Sequence, residues 1–189
     1  MIVPAYRIRI SDGSEADLDA LTSILCDAHR LLDPDFLEAG VDFYRDAWGR
    51  RLREPDTEWA FLDAPDGTPA GFAGWRLRPL QSHLHALFVA APYQRRGYAR
   101  ALLHYHWEAP LRRQPTIQCF TLHVREPAYW ARRLYESEGY QYYQPGDECS
   151  WPALQVWIDA CQDYGNWPLP PVKLLMHRAA SFLPTDPST

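Results

Sequence analysis

Lysine is almost absent from this sequence, and the scarcity limits what the chain can bind. Of the 19 basic residues 18 are arginine, and the formal net charge is −5. No long run of basic residues occurs, so the chain has no general attraction to a polyphosphate backbone. We therefore expect no nucleic acid among its partners. A nucleic-acid binder rich in arginine is the weakest of the hypotheses below, and the acidic balance mildly favours a cationic substrate.

Long apolar runs and paired cysteines are missing as well. No stretch approaches the ~20 apolar residues that a membrane-spanning helix needs, and the N-terminus has no basic segment leading into an apolar one. The four cysteines form no CxxC pair and no metal-like spacing with histidine. We predict free, buried thiols, no metal site, no membrane segment and a cytoplasmic protein. The cysteines are Cys26, Cys119, Cys149 and Cys161.

Apolar and aromatic residues are plentiful, and they are sufficient for a substantial core. Hydrophobic residues make up 47% of the 189 residues, and aromatic residues make up 14%. This length fits one domain. We predict a single domain over residues 1–182 and a polar, proline-rich tail over residues 183–189 that frays.

The hydrophobic pattern predicts an alternation of strands and helices. Ser14 is a candidate N-cap, with Asp17 placed to complete a capping box. Asp66-Gly67 is a strong hairpin signal, and Pro110 is expected to stop the helix that precedes it. The order β-α-α-β-β-β-α-β-α-β predicts a mixed sheet with helices on both faces. The predicted strands are residues 6–10, 58–62, 70–77, 83–89, 117–124, 140–143 and 172–177, and the predicted helices are residues 15–29, 34–53, 98–107 and 127–138.

Two predicted helices have a specific apolar face. In the second helix, Phe36, Phe43 and Ala47 are expected to face inward. Residues 149–171 form an insertion before the last strand, with Ser150 as a candidate cap. There the spacing i, i+3, i+4, i+7 predicts one apolar stripe, made of Leu154, Trp157, Ile158 and Cys161.

The turn at residues 90–97 combines several features of a phosphate site. An apolar strand leads into Pro92, two arginines and Gly97, and a helix follows directly. The first turn of a helix has unpaired N–H groups and a partial positive charge, and glycine lets a phosphate approach the backbone. Ala99 is the next smallest choice, and arginines add positive charge at the rim. The pattern indicates a diphosphate site.

This turn resembles motif A of the GCN5-related N-acetyltransferase (GNAT) family, Gln/Arg-x-x-Gly-x-Gly/Ala, which here reads Gln94-x-x-Gly97-x-Ala99. Downstream, Ala131-x-x-Leu134-Tyr135-x-x-x-Gly139-Tyr140 is similar to motif B. The resemblance covers roughly residues 6–148 and the last strand. One departure is Ala128, where the family often has an asparagine that bonds the cofactor.

The resemblance implies a fold, a cofactor and a reaction. The implied fold is α/β, with a mixed, mostly antiparallel central sheet flanked by helices on both faces (the acyl-CoA N-acyltransferase fold) and an extra helical insertion before the last strand. The implied co-substrate is acetyl-CoA, without a metal. The implied reaction is transfer of an acetyl group to a primary amine of a small molecule or peptide, by direct attack in a ternary complex.

The resemblance also assigns roles to residues. His83 matches the position of the family's usual base, and His85 has the same strand parity, so either is a candidate base. Tyr135 is the candidate acid near the CoA thiolate. A main-chain N–H near Val89 is expected to stabilise the thioester oxygen. The residues expected to contact the cofactor are Leu87, Phe88, Val89, Gln94, Arg95, Arg96, Gly97, Tyr98, Ala99, Arg100, Trp130 and Tyr135.

Alternatives stay open at this stage. A catalytically silent acyl-CoA sensor would need the same turn, and amine-dependent release of thiol would separate it from an enzyme. The insertion is expected to form a lid over the acceptor, with a helix that patches the core or a contact in a homodimer as the alternative. The acceptor amine, the acyl chain beyond acetyl as the default and the oligomeric state are not set by the sequence.

Overall fold

The computed structural model describes residues 5–29, 41–163 and 173–180. Its chain divides into two compact units. The first unit contains Met1–Arg76 and His85–His106, and the second contains Leu77–Leu84 and Trp107–Thr189. The single domain over residues 1–182 stays a prediction.

The elements from the first strand to the helix that follows the turn at residues 90–97 belong mainly to the first unit. They are strand β1 (Arg7–Ile10), helix α1 (Glu15–His29), helix α2 (Val41–Leu52), strand β2 (Thr57–Asp63), strand β3 (Pro69–Arg78), strand β4 (Gln81–Val89) and helix α3 (Tyr98–Arg113). A short 3-10 turn, Ala91–Tyr93, lies between β4 and α3.

The remaining elements belong to the second unit. They are strand β5 (Cys119–Arg125), helix α4 (Tyr129–Ser137), strand β6 (Gln141–Tyr142), short helix α5 (Asp147–Ser150), helix α6 (Pro152–Asp163) and strand β7 (Lys173–Ala179). The strand order is β1-β2-β3-β4-β5-β7-β6. The β4–β5 pair is parallel, whereas β1–β2, β2–β3, β5–β7 and β6–β7 are antiparallel. The predicted mixed, mostly antiparallel sheet with a helical insertion before the last strand is confirmed.

The start of α1 shows why this helix forms where the sequence predicts it. The Ser14 hydroxyl accepts a hydrogen bond from the Asp17 main-chain N–H at 3.3 Å, as an N-cap should. The Asp17 carboxylate does not complete the expected box with Ser14. It is buried, and it accepts from the Arg9 guanidinium at 2.7 Å and from the Asp12 N–H at 3.1 Å instead. Asp17 therefore ties α1 to β1.

The β2–β3 hairpin also follows the prediction. Gly67 has φ +82°, and its N–H donates to the Ala64 carbonyl at 2.9 Å. Behind this hairpin, the core of the first unit consists of α1 leucines and strand aromatics. Its buried members are Leu18, Leu21, Ile24, Leu25, Leu52, Trp59, Phe61, Phe72, Ala86 and Ala90.

Two expectations about helices are wrong. Phe43 does not face inward: it is 57% exposed, and α2 turns Gly49 and Leu52 into the core instead. Helix α3 does not stop before Pro110 but continues to Arg113, with the Gln114 N–H donating to the Pro110 carbonyl at 2.8 Å. A proline inside a helix removes one hydrogen bond. Burial of Trp107 and Ala109, which directly precede Pro110, offsets the loss, whereas the sequence rule counted only the local cost.

Some predictions fall on residues that are not described. The start of the second helix, with Phe36, lies outside the described residues. So do Val172, the tail at residues 183–189 and the side chains of Trp157 and Cys161. Cys26 and Cys119 are buried thiols as predicted, whereas Cys149, on the short helix α5, is exposed.

The insertion packs on the core of the second unit. Ala153 and Leu154 of α6 are buried and cluster with Cys119 of β5. His177 of β7 and Asp147 of α5 are within hydrogen-bond distance, with Nε2 and Oδ2 3.0 Å apart. These contacts favour the core-patching role for this part of the insertion, and the lid stays a prediction. In the part of the chain that the structure describes, no helix combines the length and apolar character needed to cross a bilayer.

Candidate active site

The turn between β4 and α3 has an unusual main-chain path. Arg95 has φ +64° and Gly97 has φ +86°, and Arg96 between them does not share the positive sign. Alternation of this kind turns successive N–H groups toward one side, which forms an anion-binding concavity. Gly97 has no Cβ penalty at such a φ, which explains why glycine occupies this position.

Among the described residues, no acceptor is found for the main-chain N–H groups of residues 95–99. The first intrahelical bond runs from the Ala101 N–H to the Gly97 carbonyl at 3.0 Å. These donors and the positive end of α3 suit a phosphate or diphosphate. The residues present therefore fit the diphosphate of coenzyme A.

Gln94 stabilises the turn rather than extending from it. Its side-chain Nε2 donates to the Val89 carbonyl at 3.1 Å, and its main-chain N–H donates to the Ala91 carbonyl at 3.3 Å. Both bonds join the end of β4 to the entry of the turn. Gln94 thus has a structural contact that the sequence motif did not predict, and its direct contact with the cofactor stays a prediction.

The side chains around this turn divide into exposed cations and a buried ring. Arg95, Arg96 and Arg100 are exposed, and the Arg96 guanidinium lies 5.5 Å from the centre of the Tyr93 ring. Tyr98 is 1% exposed, so its side chain is not available to a ligand. Ala99 is half-buried.

The end of β4 is apolar and tightly packed on β3. Leu87 and Phe88 are half-buried, and Val89 is buried. A Cβ added to Gly71 would lie 2.8 Å from the Phe88 carbonyl oxygen, so glycine permits this approach of the two strands. The register of β4 with β5 covers only Gln81–Leu84 and Cys119–Leu122.

His83 and His85 share the half-buried side of β4 but differ in their surroundings. His83 Nδ1 lies 2.8 Å from the Thr121 hydroxyl, and its ring lies 4.9 Å from that of His123. His85 contacts the edge of Trp59, with the ring centres 4.8 Å apart. Its Nε2 is buried and has no hydrogen-bond partner among the described residues.

Burial makes His85 a poor proton acceptor. It lowers the pKa of His85 to about 3, and the positive charges of Arg51 and Arg76 act in the same direction. A Cβ added to Gly74 would lie 2.5 Å from the Trp59 ring and 2.9 Å from His85 Nε2, so glycine is needed for this packing. The structure therefore disfavours His85 relative to His83 as a base.

Tyr135 lies on α4 in a buried aromatic cluster of the second unit. It is 6% exposed, and its ring meets that of Tyr140 edge-on at 5.7 Å. The Trp107 indole N–H donates to the Tyr140 hydroxyl at 3.0 Å, and the Arg178 guanidinium lies 4.0 Å from the centre of the Trp107 ring. Burial raises the pKa of Tyr135, so its phenol keeps its proton at neutral pH.

The N-terminus of α4 differs from the motif in a way that the structure makes visible. Ala128 is the N-cap residue, and it offers no side-chain cap. Trp130 is 43% exposed and pairs with the exposed Tyr129, their ring centres 5.1 Å apart. Trp130 therefore does not pack in the core, and its contact with a cofactor stays a prediction.

Sequence reasoning missed the groups that surround His85. Trp48 and Arg51 are three residues apart on α2, and the Arg51 guanidinium lies 5.5 Å from the centre of the Trp48 ring. The i, i+3 spacing was a usable signal for this stacking. The contact of Trp59 with His85 joins two separate strands, and no local pattern indicates it.

Comparison with known proteins agrees with this geometry. A family model described as the Acetyltransferase (GNAT) family matches residues 19–140. No curated protein matches the chain.

Solved structures of acetyltransferases share the fold. The ribosomal-protein-S18-alanine N-acetyltransferase of Escherichia coli has 19% identity and a TM-score of 0.60, over 95% of this chain and 98% of that one. The PaiA N-acetyltransferase of Thermoplasma acidophilum, solved in complex with coenzyme A, has 14% identity and a TM-score of 0.59, over 92% and 99%. A spermidine N-acetyltransferase chimera with Vibrio cholerae sequence has 12% identity and a TM-score of 0.63, over 93% and 96%. These identities show the fold alone, but the family model covers more than half of the chain, and this protein belongs to the GNAT family of acetyltransferases.

Proposed function

We propose that this acetyltransferase moves an acetyl group from acetyl-CoA to a primary amine. The observation that carries the proposal is the set of N–H groups at residues 95–99, which have no acceptor among the described residues and lie in a main chain of alternating φ. Such a set is costly to leave unsatisfied unless an anion or water binds it. A neighbour crystallised with coenzyme A shares the fold.

The binding residues in this proposal act mostly through the main chain. Gly97, Tyr98 and Ala99 offer amides to the diphosphate, while Arg95, Arg96 and Arg100 add positive charge from the exposed rim. Leu87 and Phe88 offer half-buried apolar surface to the pantetheine arm. The main-chain N–H near Val89 is the proposed donor to the thioester oxygen.

The acceptor must lose a proton before it can attack. An alkyl ammonium has a pKa near ~10.4, so only about one molecule in a thousand is neutral near pH 7.4. Acetyl-CoA supplies a thioester whose carbonyl carbon accepts the amine as the C–S bond breaks. His83 is our proposed base, directly or through a water, because its Nδ1 lies 2.8 Å from the Thr121 hydroxyl, whereas burial lowers the pKa of the other candidate, His85, to about 3.

Tyr135 is our proposed acid. A phenol has an ordinary pKa near ~10, so this hydroxyl is protonated at neutral pH and can donate to the leaving thiolate. Burial raises its pKa further, which favours a hydrogen-bond donor over a strong acid. The thiol has a pKa near ~8.5 and is a tolerable leaving group. We therefore expect this acid to assist the reaction rather than to be indispensable.

Calorimetry with acetyl-CoA and a thiol-release assay with a panel of primary amines test the proposal together. We expect binding with 1:1 stoichiometry and release of thiol that depends on the amine. Binding without amine-dependent release would favour the silent sensor instead. Absence of binding would refute both, since each needs the same turn.

A further inference from the structure

Trp48 and Arg51 of α2 belong to a group of residues of which the proposed function uses only Phe88. The Trp48 ring centre lies 5.8 Å from that of Trp59 and 6.2 Å from that of Phe88. Trp59 in turn contacts His85. We call Trp48, Arg51, Trp59, His85 and Phe88 the Arg51 surface. All five belong to the first unit.

Two side-chain hydrogen bonds hold the main chain at Arg51. Its carbonyl accepts from the Thr57 hydroxyl at 3.0 Å and from the Trp59 indole N–H at 3.3 Å. The guanidinium stacks on Trp48, so its side chain is held at one face while the N–H edges stay accessible. A guanidinium held in this way is prepared for a planar, bidentate partner such as a carboxylate.

Arg51 has no carboxylate partner among the described residues. Over residues 5–29, 41–163 and 173–180, no carboxylate lies within ion-pair distance of its guanidinium. Neighbouring arginines differ, because Arg45 binds Glu15, Arg53 binds Glu15 and Arg76 binds Asp56. As far as the described residues go, Arg51 therefore differs from these arginines, because it has no carboxylate partner and its charge suits an external anion.

Two arginines act on His85 through their positive charge. Burial is the largest cause of the lowered pKa of His85, and the charges of Arg51 and Arg76 lower it further. A positive field disfavours a simple polyamine at this surface. The same field lowers the pKa of a bound ammonium, which eases the loss of its proton before attack.

We propose that the acceptor is an amine that also carries a carboxylate, such as a free amino acid, and that Arg51 binds this carboxylate. The inference rests on the proposed function and narrows its substrate class. It departs from the cationic acceptor that the acidic composition mildly favoured. Two acids of α5 that could attract a cationic amine are engaged within the protein, Asp147 with His177 and Glu148 with the Tyr143 hydroxyl at 2.7 Å.

Matched acceptors and a matched variant test this proposal. The acceptors are glycine, phenylalanine and glutamate, each compared with its α-amide, together with phenethylamine and spermidine. Arg50→Gln is the control for Arg51→Gln, since Arg50 is also exposed and occupies the same last turn of α2. We measure kcat/KM by thiol release and binding of each acceptor by calorimetry without coenzyme A.

We expect at least one amino acid to exceed its amide about tenfold or more in kcat/KM. Arg51→Gln should remove this preference by raising KM for the acid, while Arg50→Gln keeps it. Preference for spermidine, phenethylamine or the amides would overturn the substrate class while leaving the proposed function intact. Failure of every amino acid to bind, or a preference that survives Arg51→Gln, would do the same. If acetyl-CoA does not bind, the proposed function fails separately, and calorimetry with the amino acids alone still decides the role of Arg51.

Discussion

The turn at residues 89–99 and the cluster around Tyr135 present two different ways of building a site. In the turn, the groups available to a ligand are main-chain amides, and the neighbouring arginine side chains are exposed. Around Tyr135, the groups are buried side chains whose rings and hydroxyls contact one another. Substitutions in the turn should therefore act through φ and the backbone, whereas substitutions in the cluster should act through individual functional groups.

The largest effect is expected from Gly97→Ala. A Cβ at φ +86° costs about 1–2 kcal/mol of strain, and relief of that strain would rotate the amides away from the anion. We expect the Kd for acetyl-CoA to rise about tenfold to thirtyfold, measured by calorimetry.

Gly67→Ala is the matched control for this change. Gly67 has a similar φ of +82° in the β2–β3 hairpin, and an added Cβ there meets nothing within 4 Å. Gly67→Ala should lower Tm by about as much as Gly97→Ala does, and it should leave the Kd for acetyl-CoA unchanged. Equal losses of affinity in the two variants would show that strain anywhere in the chain, rather than this turn, governs binding.

Removal of one hydroxyl tests the side-chain cluster. Tyr135→Phe keeps the ring contact with Tyr140 and removes the proposed acid. We expect kcat to fall about tenfold, equivalent to about 1.4 kcal/mol in the barrier, with the Kd for acetyl-CoA unchanged. Steady-state kinetics with the best acceptor measures this.

Tyr140→Phe separates catalysis from packing in the same cluster. It removes the acceptor of the Trp107 N–H bond, so it should lower stability by about 1–3 kcal/mol because a buried donor loses its partner. Its kcat should stay near that of the wild type. A similar fall in kcat for both variants would remove the case for Tyr135 as the acid.

Acid pH should weaken the first unit through two buried histidines. Burial lowers the pKa of His85 and of His106 to about 3, whereas an unfolded histidine has a pKa near ~6.5. The unfolded state therefore binds more protons, and stability falls as the pH drops from about 6.5 toward 3. Each histidine contributes up to about 1.4 kcal/mol per pH unit in that window.

Denaturant unfolding at pH 7.0 and 5.0 measures this loss. His106→Gln should reduce the difference between the two pH values, since it removes one of the two groups that must be protonated. His104→Gln is the control on the same helix, at a half-buried position. An equal reduction in both variants would assign the acid sensitivity to other groups.

The smallest effect is expected at the exposed rim of the turn. Arg95→Gly removes a charge but suits the positive φ of that residue, so we expect Tm to be retained or raised. The Kd for acetyl-CoA should rise only about threefold, and the rise should shrink at high salt. Calorimetry at two salt concentrations measures it, and a loss as large as that of Gly97→Ala would contradict a site built from the main chain.

Local patterns predicted most of the elements and the position of the turn. The Ser14 cap, the Asp66-Gly67 hairpin and the strand that leads into Gly97 are each encoded within a few residues, so sequence alone locates them. The exceptions depend on packing. Helix α3 continues through Pro110, and Phe43 is exposed. At both positions the packing of buried neighbours, rather than the local propensity of the residue, determines the structure.

What the sequence determined by itself is the order of elements and the main-chain chemistry of residues 94–99, since turn geometry follows from the residues within it. Only the tertiary structure separated His83 from His85, which the strand parity had left equivalent. That separation depends on Trp59 and Gly74, on two other strands, because burial and the field of distant charges set the pKa of a side chain. The proposed role of Arg51 likewise depends on tertiary structure. The aromatic residues around it are far apart in the chain and come together only after folding.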